Sequence, residues 1–129
     1  MIETDKYLHK KYKFNGRGKE GYDCLGLMLN VLGDNGINLP NDDGREINYS
    51  WFQSEPERFI NGLKKHFNKI KFNDRQPLDV VVFLIGGIPR HSGVLINQYN
   101  FIHITENSTV HISKLSKWNK RIHSIWRAR

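Results

Sequence analysis

The clearest hydrophobic pattern in the chain follows its single cysteine, Cys24. Apolar residues recur there at the i, i+3, i+4 and i+7 positions of one helix face, and others widen the stripe. The residues of this stripe are Leu25, Leu27, Met28, Leu29, Val31 and Leu32. Asp23 is placed to cap the helix and Gly33 to end it. The pattern predicts a buried central helix with Cys24 in its first turn.

Two further helices are predicted, one on each side of this central helix. Residues 4–8 have the composition of a short helix with Thr4 as its cap. Later in the chain, Ser54 is placed to cap a helix, Pro56 suits its first turn, and an apolar stripe runs from 59 to 67. Residues 37–54 lack such periodicity, so we expect an irregular connection there.

The second half of the chain has the pattern of strands separated by Gly and Asn turns. Five strands are predicted, at residues 80–85, 92–96, 101–105, 109–112 and 121–126. The continuous apolar run 80–85 is typical of a strand in the middle of a sheet. Because helices come first and a meander of strands follows, the expected class is α+β, with N-terminal helices packed on an antiparallel sheet of about five strands.

Composition and charge limit the classes of protein to which the chain can belong. Its 129 residues suit one domain spanning 1–129, and 38% hydrophobic residues supply enough apolar side chains for a core. No apolar run approaches the roughly 20 residues of a membrane helix, and the first residues lack a signal-peptide pattern. We therefore expect neither contact with a membrane nor secretion by such a signal. The formal net charge is +7, but residues 21–55 alone sum to −5, so Cys24 lies in an acidic segment of a cationic chain.

Candidate chemistry begins with Cys24, because the start of a helix favours the thiolate and lowers the pKa of a cysteine. His91 precedes a predicted strand and His103 lies on the next one. Both numbers are odd, so a suitable hairpin turns both side chains to one face of the sheet. A thiol and two imidazoles in sequence are the nucleophile, base and orienting group of covalent catalysis.

Three other interpretations of these residues stay open. A lone cysteine is often a buried structural residue, and single strand histidines often make ordinary hydrogen bonds. A zinc site formed by all three side chains is chemically reasonable, but no close-spaced pair of ligands indicates one. The sequence therefore predicts neither a metal ion nor another cofactor.

Five segments of the chain resemble motifs of the NlpC-type family of papain-like cell-wall cysteine peptidases. Residues 12–16 (YKFNG) and 21–27 (GYDCLGL) resemble the family's Y-x-W-G-G and G-x-D-C-S-G-L. Residues 77–83 (PLDVVVF), 91–96 (HSGVLI) and 101–103 (FIH) resemble its P-G-D-L-V-F-F, H-V-G-I-Y-I and F-I-H. No single segment is specific, but the order and spacing of the whole set are.

The resemblance implies a papain-like fold and a Cys-His-His peptidase. Cys24 would be the nucleophile, His91 the base and His103 the orienting third residue. The family's tyrosine near the oxyanion would be Tyr12.

The resemblance also implies a substrate. Members of the family hydrolyse amide bonds in peptidoglycan stem peptides, commonly between D-glutamate and a diamino acid. Asp23 would lie beside the free amine of the substrate, and Ser92 and Gly93 are further candidates for substrate contact. Segments 36–40 and 110–122 most resemble the branch of the family carried in bacteriophage tails.

The chain departs from the family's motifs at three places. The usual Ser after the cysteine is Leu25, the W-G-G is residues 14–16 (FNG), and the Gly of P-G-D is Leu78. None of these changes removes a catalytic group. Leu25 adjoins the nucleophile, so the reaction type follows from the resemblance more directly than the substrate does.

Three functions are compared on these grounds. The leading one is a phage tail-associated peptidoglycan hydrolase that helps the genome into the host, made in the bacterial cytoplasm and carried in the virion on tail hub or tail-tip proteins. The second is a structural tail-tip docking component with weak or no hydrolysis, which would use exposed tryptophans, namely Trp51, Trp118 and Trp126. The third is nucleic-acid binding, which the acidic segment around Cys24 disfavours. Its basic residues would be Lys114, Lys117, Lys120, Arg121, Arg127 and Arg129.

Overall fold

The computed structural model describes residues 2–18, 20–40 and 47–129. Its elements follow in the order α1 Cys24–Asp34, α2 Trp51–Ser54, α3 Arg58–Lys64, β1 Phe67–Ile70, β2 Val80–Ile85, β3 Ile88–Leu95, β4 Asn100–His103, β5 His111–Lys114 and β6 Ile122–Ala128. Short 3-10 segments occupy Phe72–Asp74 and Leu115–Arg121. The strands form one antiparallel sheet in the order β1-β6-β2-β3-β4-β5. The α+β class is therefore confirmed, with six strands where about five were expected.

Helix α1 begins where the sequence predicts, because Asp23 caps it. The Asp23 carboxylate accepts a hydrogen bond of 2.7 Å from the backbone N–H of Gly26, which satisfies one of the free donors of the first turn. The helix continues one residue past the predicted stop at Gly33 and is capped by Asn35. At 11 residues α1 is the longest helix, and no helix in the described ranges is long and apolar enough to cross a membrane.

The other predicted helices differ from the structure. Residues 5–9 form turns instead of a short helix, and Ser54 ends α2 instead of capping the next helix. Helix α3 is shorter than expected because Phe67 starts strand β1, which pairs with β6. The irregular connection predicted over 37–54 contains α2, and its residues 41–46 lie outside the described part of the chain.

The sheet has two buried faces, and β2 contributes to both. Four residues that point toward α1 form what we term the helix face: Val80, Val82, Val94 and Ile102. Four others point toward the 3-10 segment of Leu115–Arg121 and form the tryptophan face, named after Trp118: Val81, Phe83, Leu95 and Phe101. Strand β2 is third of six, as expected for a continuous apolar run, because only a central strand is covered on both sides.

A bulge between β2 and β3 controls the position of Arg90. Phe83 pairs with His91, but the next residue of β2 pairs with Pro89, so Arg90 is the extra residue. The Gly86-Gly87 turn, with φ of 60° and 78°, lets β3 start at Ile88, earlier than the predicted residue 92. Since the bulge directly precedes His91, it places the backbone of residue 90 against the start of α1.

Two residues that stand where the resembled motifs have glycine adopt left-handed backbone. Asn15 has φ of 56° and Leu78 has φ of 74°. Asparagine tolerates this region, whereas leucine is strained in it. The strained Leu78 adjoins Asp79, whose carboxylate is 1% exposed and is held by Arg127 Nε and Nη2 at 2.8 and 2.9 Å.

Candidate active site

The thiol of Cys24 lies at the first turn of α1, half-buried and not in a disulfide. Its Sγ donates to the carbonyl oxygen of Arg90 at 3.8 Å. Burial, with a contribution from the neighbouring Asp23 charge, raises the pKa of the thiol to about 11. The sequence-based expectation of a lowered pKa is therefore wrong, since desolvation outweighs the effect of the helix start. At neutral pH the resting thiol is protonated.

Hydrogen-bond donors around the sulfur favour the thiolate once it forms. The backbone N–H groups of Leu25 and Ser92 and the Ser92 hydroxyl each lower the pKa of Cys24 and so offset part of the rise. Ser92 is fully buried, and in the resting state its Oγ has no hydrogen-bond partner among the described residues. A buried hydroxyl without an acceptor is costly, so the ionised sulfur is the natural acceptor of its hydrogen bond.

The loop before α1 packs against the helix at van der Waals contact. A Cβ atom added to Gly26 would lie 1.8 Å from the carbonyl oxygen of Gly16, so this approach requires glycine. Asp23 serves the same junction, because its Oδ1 accepts from both the Gly26 N–H and the Arg17 guanidinium, at 2.7 and 2.9 Å. Asp23 thus has a structural role as cap and ion-pair partner, and its predicted contact with a substrate amine stays a prediction.

A cavity of about 220 Å³ opens beside the thiol. The polar residues of its lining that matter for chemistry are Tyr12, Asp23, Cys24, Tyr49, Arg90 and Glu106. Burial, and next the charge of an ionised Cys24, raise the pKa of Tyr12 to about 12, so its hydroxyl keeps its proton and can donate it. The structure brings Tyr12 and Cys24 to one cavity, in line with the sequence-based placement of both at a single site.

Two cavity residues contact aromatic or acidic neighbours across its opening. The Tyr49 hydroxyl donates to the Glu106 carboxylate. The Arg90 guanidinium carbon lies 3.7 Å from the ring centroid of Phe52 in α2, a cation–π contact. Sequence reasoning missed these residues, because each contact joins segments that are far apart in the chain.

His91 and His103 form a buried, directly bonded pair. Nε2 of His91 is 2.9 Å from Nδ1 of His103, and the side chains are 6% and 0% exposed. Both rings lie on the tryptophan face, with the centroid of Trp118 5.5 Å from that of His91 and 5.1 Å from that of His103. Burial lowers the pKa of His91 to about 4 and that of His103 to about 2. The pair is neutral at pH 7, so each imidazole carries one unprotonated nitrogen.

The thiol and the histidine pair meet at β3 without a direct hydrogen bond. The sulfur contacts the residues on both sides of His91, namely the Arg90 carbonyl and the Ser92 donors. Throughout 2–18, 20–40 and 47–129, Cys24 has no hydrogen bond to either imidazole. The structure thus joins His91 to His103 and brings Cys24 to the backbone beside His91.

Ser92 and Gly93, predicted to contact substrate, are buried inside β3. A Cβ on Gly93 would lie 2.4 Å from the Phe101 ring, so this glycine makes room for packing. Substrate contact by these two residues stays a prediction.

Strand β5 supplies two neighbours of His103 that the sequence reasoning did not use. His111 pairs with His103 in register, and the ring centroids are 4.4 Å apart. Ser113 Oγ is 2.8 Å from His103 Nε2. Alternation along a strand indicates that residues 111 and 113 share one face. Only the pairing of β5 with β4 shows that this face lies beside His103.

The structure exposes few of the residues that a docking component or a nucleic-acid-binding protein would use. Trp126, expected to be exposed for docking, is only 4% exposed, and Trp51 and Trp118 are half-buried. Of the basic residues considered for nucleic acid, Arg127 is engaged with the buried Asp79. Within the described ranges no group of three or more His, Cys, Asp or Glu side chains is arranged to hold a metal ion.

Sequence comparison finds a matching family model and relatives named as endopeptidases. The family model described as "NlpC/P60 family" matches residues 9–127. "Probable endopeptidase p60" of Listeria seeligeri is 26% identical over 107 residues, which are 83% of this chain and 17% of that protein. "Murein DD-endopeptidase MepS/Murein LD-carboxypeptidase" of Escherichia coli K12 is 25% identical over 114 residues, 86% of this chain and 52% of that protein. The chain therefore spans about a sixth of the Listeria relative and about half of the E. coli one.

Solved structures agree on the fold. A "NLPC/P60 family protein" from Bacillus cereus superposes with a TM-score of 0.71 at 19% identity, covering 96% of this chain and 37% of the other. The "NlpC/p60 domain of peptidoglycan hydrolase SagA" superposes with a TM-score of 0.60 at 17% identity, covering 95% of this chain and 91% of that domain. At these identities the likeness is one of fold, namely helices packed on an antiparallel sheet.

Proposed function

The chain belongs to the NlpC/P60 family, and we propose that it is a cysteine endopeptidase that hydrolyses amide bonds in the stem peptides of peptidoglycan. One observation carries the proposal: the only cysteine lines a cavity at the start of a buried helix, and it touches the strand that holds a neutral, hydrogen-bonded histidine pair. Relatives named as endopeptidases support it.

The first step of the proposed reaction transfers the thiol proton as the sulfur attacks. The Cys24 thiol exchanges its hydrogen bond to the Arg90 carbonyl for one to His91, which takes the proton while the C–S bond forms. Catalytic hydrogen bonds are often loose before substrate binds, so the resting contact is compatible with this step. Because the pKa of the thiol is about 11, activation relies on His91 during attack and not on a preformed thiolate.

The later steps return the proton and break the amide. The oxyanion is held by the backbone N–H of Cys24 and by the Tyr12 hydroxyl, which lines the same cavity. As the C–N bond breaks, His91 gives its proton to the leaving amine. Water, deprotonated by His91, then attacks the thioester and releases the acid and the free thiol. His103 stabilises the charged His91 through the bond at 2.9 Å.

For the substrate, we propose that a free amine of the stem peptide binds beside Asp23, and that Ser92 and Gly93 shape the adjacent strand. Cationic segments on both sides of the acidic one favour approach to an anionic cell wall. We further propose that the protein works in a phage tail, held by hub or tail-tip proteins, on the resemblance of segments 36–40 and 110–122 to the phage branch. In this proposal the protein leaves the host cytoplasm as a component of the virion.

The test of catalysis compares three chains on purified peptidoglycan, with released peptides identified by liquid chromatography and mass spectrometry. The unchanged chain should release peptides with new amino and carboxyl ends. Cys24→Ala should release none and keep its melting temperature, because only the sulfur is lost. His123→Ala removes an exposed histidine outside the site and should match the unchanged chain. Equal hydrolysis by Cys24→Ala would show that the mechanism is wrong.

The alternative of a structural docking component is tested on the phage particle. Stoichiometric incorporation of the protein into a phage tail, together with no hydrolysis by the unchanged chain, would favour the docking component over the enzyme.

A further inference from the structure

The hydrogen-bond chain that begins at His91 does not end at His103. His103 Nδ1 is 2.9 Å from His91 Nε2, and His103 Nε2 is 2.8 Å from Ser113 Oγ. Strand register produces the second contact, since Phe101 pairs with Ser113 and His103 with His111, which puts Ser113 diagonally across from His103. Both ring nitrogens of the buried His103 are therefore occupied.

Two neutral imidazoles in a row permit two arrangements of their protons. In the first, His91 donates from Nε2 to His103, His103 donates from Nε2 to Ser113, and Nδ1 of His91 keeps a lone pair. In the second, the Ser113 hydroxyl donates to His103, His103 donates from Nδ1 to His91, and Nδ1 of His91 carries the proton. Only the first arrangement leaves His91 able to accept the proton of a thiol.

The surroundings of the pair accommodate the first arrangement. Ser113 is half-buried, so when its oxygen accepts from His103 its own proton can be donated to solvent. The titratable groups facing the pair are His111 on β5 and Arg90 on β3. Nδ1 of His111 is 2.7 Å from the Thr109 carbonyl oxygen and donates to it, and the Arg90 guanidinium lies over Phe52. Ser113 is therefore the partner that faces the outer nitrogen of His103.

We propose that Ser113 is a positioning residue whose oxygen accepts the Nε2–H of His103 and thereby holds His91 in the tautomer that can take the Cys24 proton. The kinetic consequence rests on the proposed function, whereas the tautomer is a property of the folded chain. Ser113 touches neither the thiol nor the cavity, and it acts only through His103.

The kinetic experiment measures kcat and KM for Ser113→Ala, Ser113→Thr and the control Ser116→Ala on a peptidoglycan peptide. Ser113→Ala should lower kcat on the order of tenfold, a part of the roughly 10²–10⁴-fold supplied by positioned acid–base groups. Its KM should stay within about twofold, because no substrate contact is lost. Threonine keeps the hydroxyl and should retain kcat, as should Ser116→Ala at an exposed position. A Ser113→Ala chain with unchanged kcat, or a Thr variant as slow as Ala, would overturn the proposal.

The second experiment reads the tautomers directly by ¹⁵N NMR of histidine side chains in the Cys24→Ala chain, which needs no hydrolysis. The expected spectrum has His91 and His103 each protonated at Nε2, and in Ser113→Ala a share of His91 protonated at Nδ1. Protonation of His91 at Nδ1 with Ser113 intact would contradict the proposal. If the unchanged chain hydrolyses nothing, the proposed function fails, and the NMR result still decides the role of Ser113.

Discussion

The two halves of the candidate site are built in opposite ways. The thiol lies at the edge of a cavity, at a junction of glycines and charged side chains formed by the loop before α1. The histidine pair lies among aromatic rings on the tryptophan face, and hydrogen bonds connect His91 to His103 and His103 to Ser113. The thiol is thus open to the cavity, while the two imidazoles are buried.

Burial shifts the pKa values of the two halves in opposite directions, because a thiol is neutral when protonated and an imidazole when deprotonated. Burial raises the pKa of the Cys24 thiol to about 11 and lowers that of His91 to about 4. Both groups are held neutral by the same physical effect, since desolvation disfavours whichever form is charged. The candidate site is therefore uncharged at Cys24 and His91 over a wide range around neutral pH.

Acid should destabilise the fold through the histidine half, which is the largest effect we expect. The pKa of His91 is about 4 in the folded chain against an ordinary 6.5, so the unfolded chain binds the proton first. The neutral His91 contributes on the order of 3 kcal/mol to the free energy of unfolding above pH 6.5. This contribution is lost as the pH falls toward 4. Urea unfolding at pH 7 and pH 4.5 measures it.

Matched histidine variants separate this contribution from that of the carboxylates. His91→Gln should lose less stability between the two pH values than the unchanged chain, whereas His123→Gln, at an exposed histidine, should lose the same amount. Equal losses in all three chains would assign the acid sensitivity to other groups.

Removing Trp118 should change the histidine half and spare the thiol half. Trp118 contacts the rings of Phe83 and both histidines, so Trp118→Ala should cost about 2 kcal/mol, below the usual range for a fully buried tryptophan because this one is half-buried. Water reaching the pair should raise the pKa of His91 toward its ordinary value. Denaturant unfolding and an NMR titration of His91 measure the two effects.

Trp118→Phe keeps an aromatic cover and serves as the control for this change. Trp118→Phe should keep the pH midpoint of the His91 titration close to that of the unchanged chain. If Trp118→Ala does not change the pH midpoint of the His91 titration, the strand pairing alone desolvates the histidines.

Removing the Asp23 charge should change the thiol half alone, and it is the smallest effect. Asparagine caps helices about as well as aspartate and keeps an oxygen that can accept from Arg17, so Asp23→Asn should cost about 1 kcal/mol, mainly through the weaker bond to the guanidinium. The pKa of the Cys24 thiol should fall, because the Asp23 charge is one of its causes. The pH dependence of alkylation by iodoacetamide reports this as a midpoint moved to lower pH, with the His91 titration unchanged.

The matched control is Asp34→Asn, at the opposite end of α1. Its carboxylate binds Lys6 and Tyr7 and does not contribute to the pKa of the thiol, so the alkylation midpoint should not move. If Asp23→Asn also leaves the midpoint in place, burial alone sets the pKa.

Elements with strong local patterns were predictable. Helix α1 has both an apolar stripe and a cap, and β2 is a continuous apolar run, so each is where the sequence indicates. Strand β1 was missed because Phe67 also fits the end of a helical stripe, and only its pairing with Ala128 on β6 makes it a strand. The strained φ of Leu78 likewise has no local signal beyond a glycine expected from the resemblance.

By itself the sequence determined helix α1, the central strand β2, the family resemblance, the place of Cys24 at a helix start, and the shared face of His91 and His103, because these depend on periodicity and order along the chain. Tertiary structure alone decided the protonation of the thiol, the neutrality of the histidines, and the partners Arg90 and Ser113. These depend on burial and on cross-strand register, which are created by residues far apart in the chain.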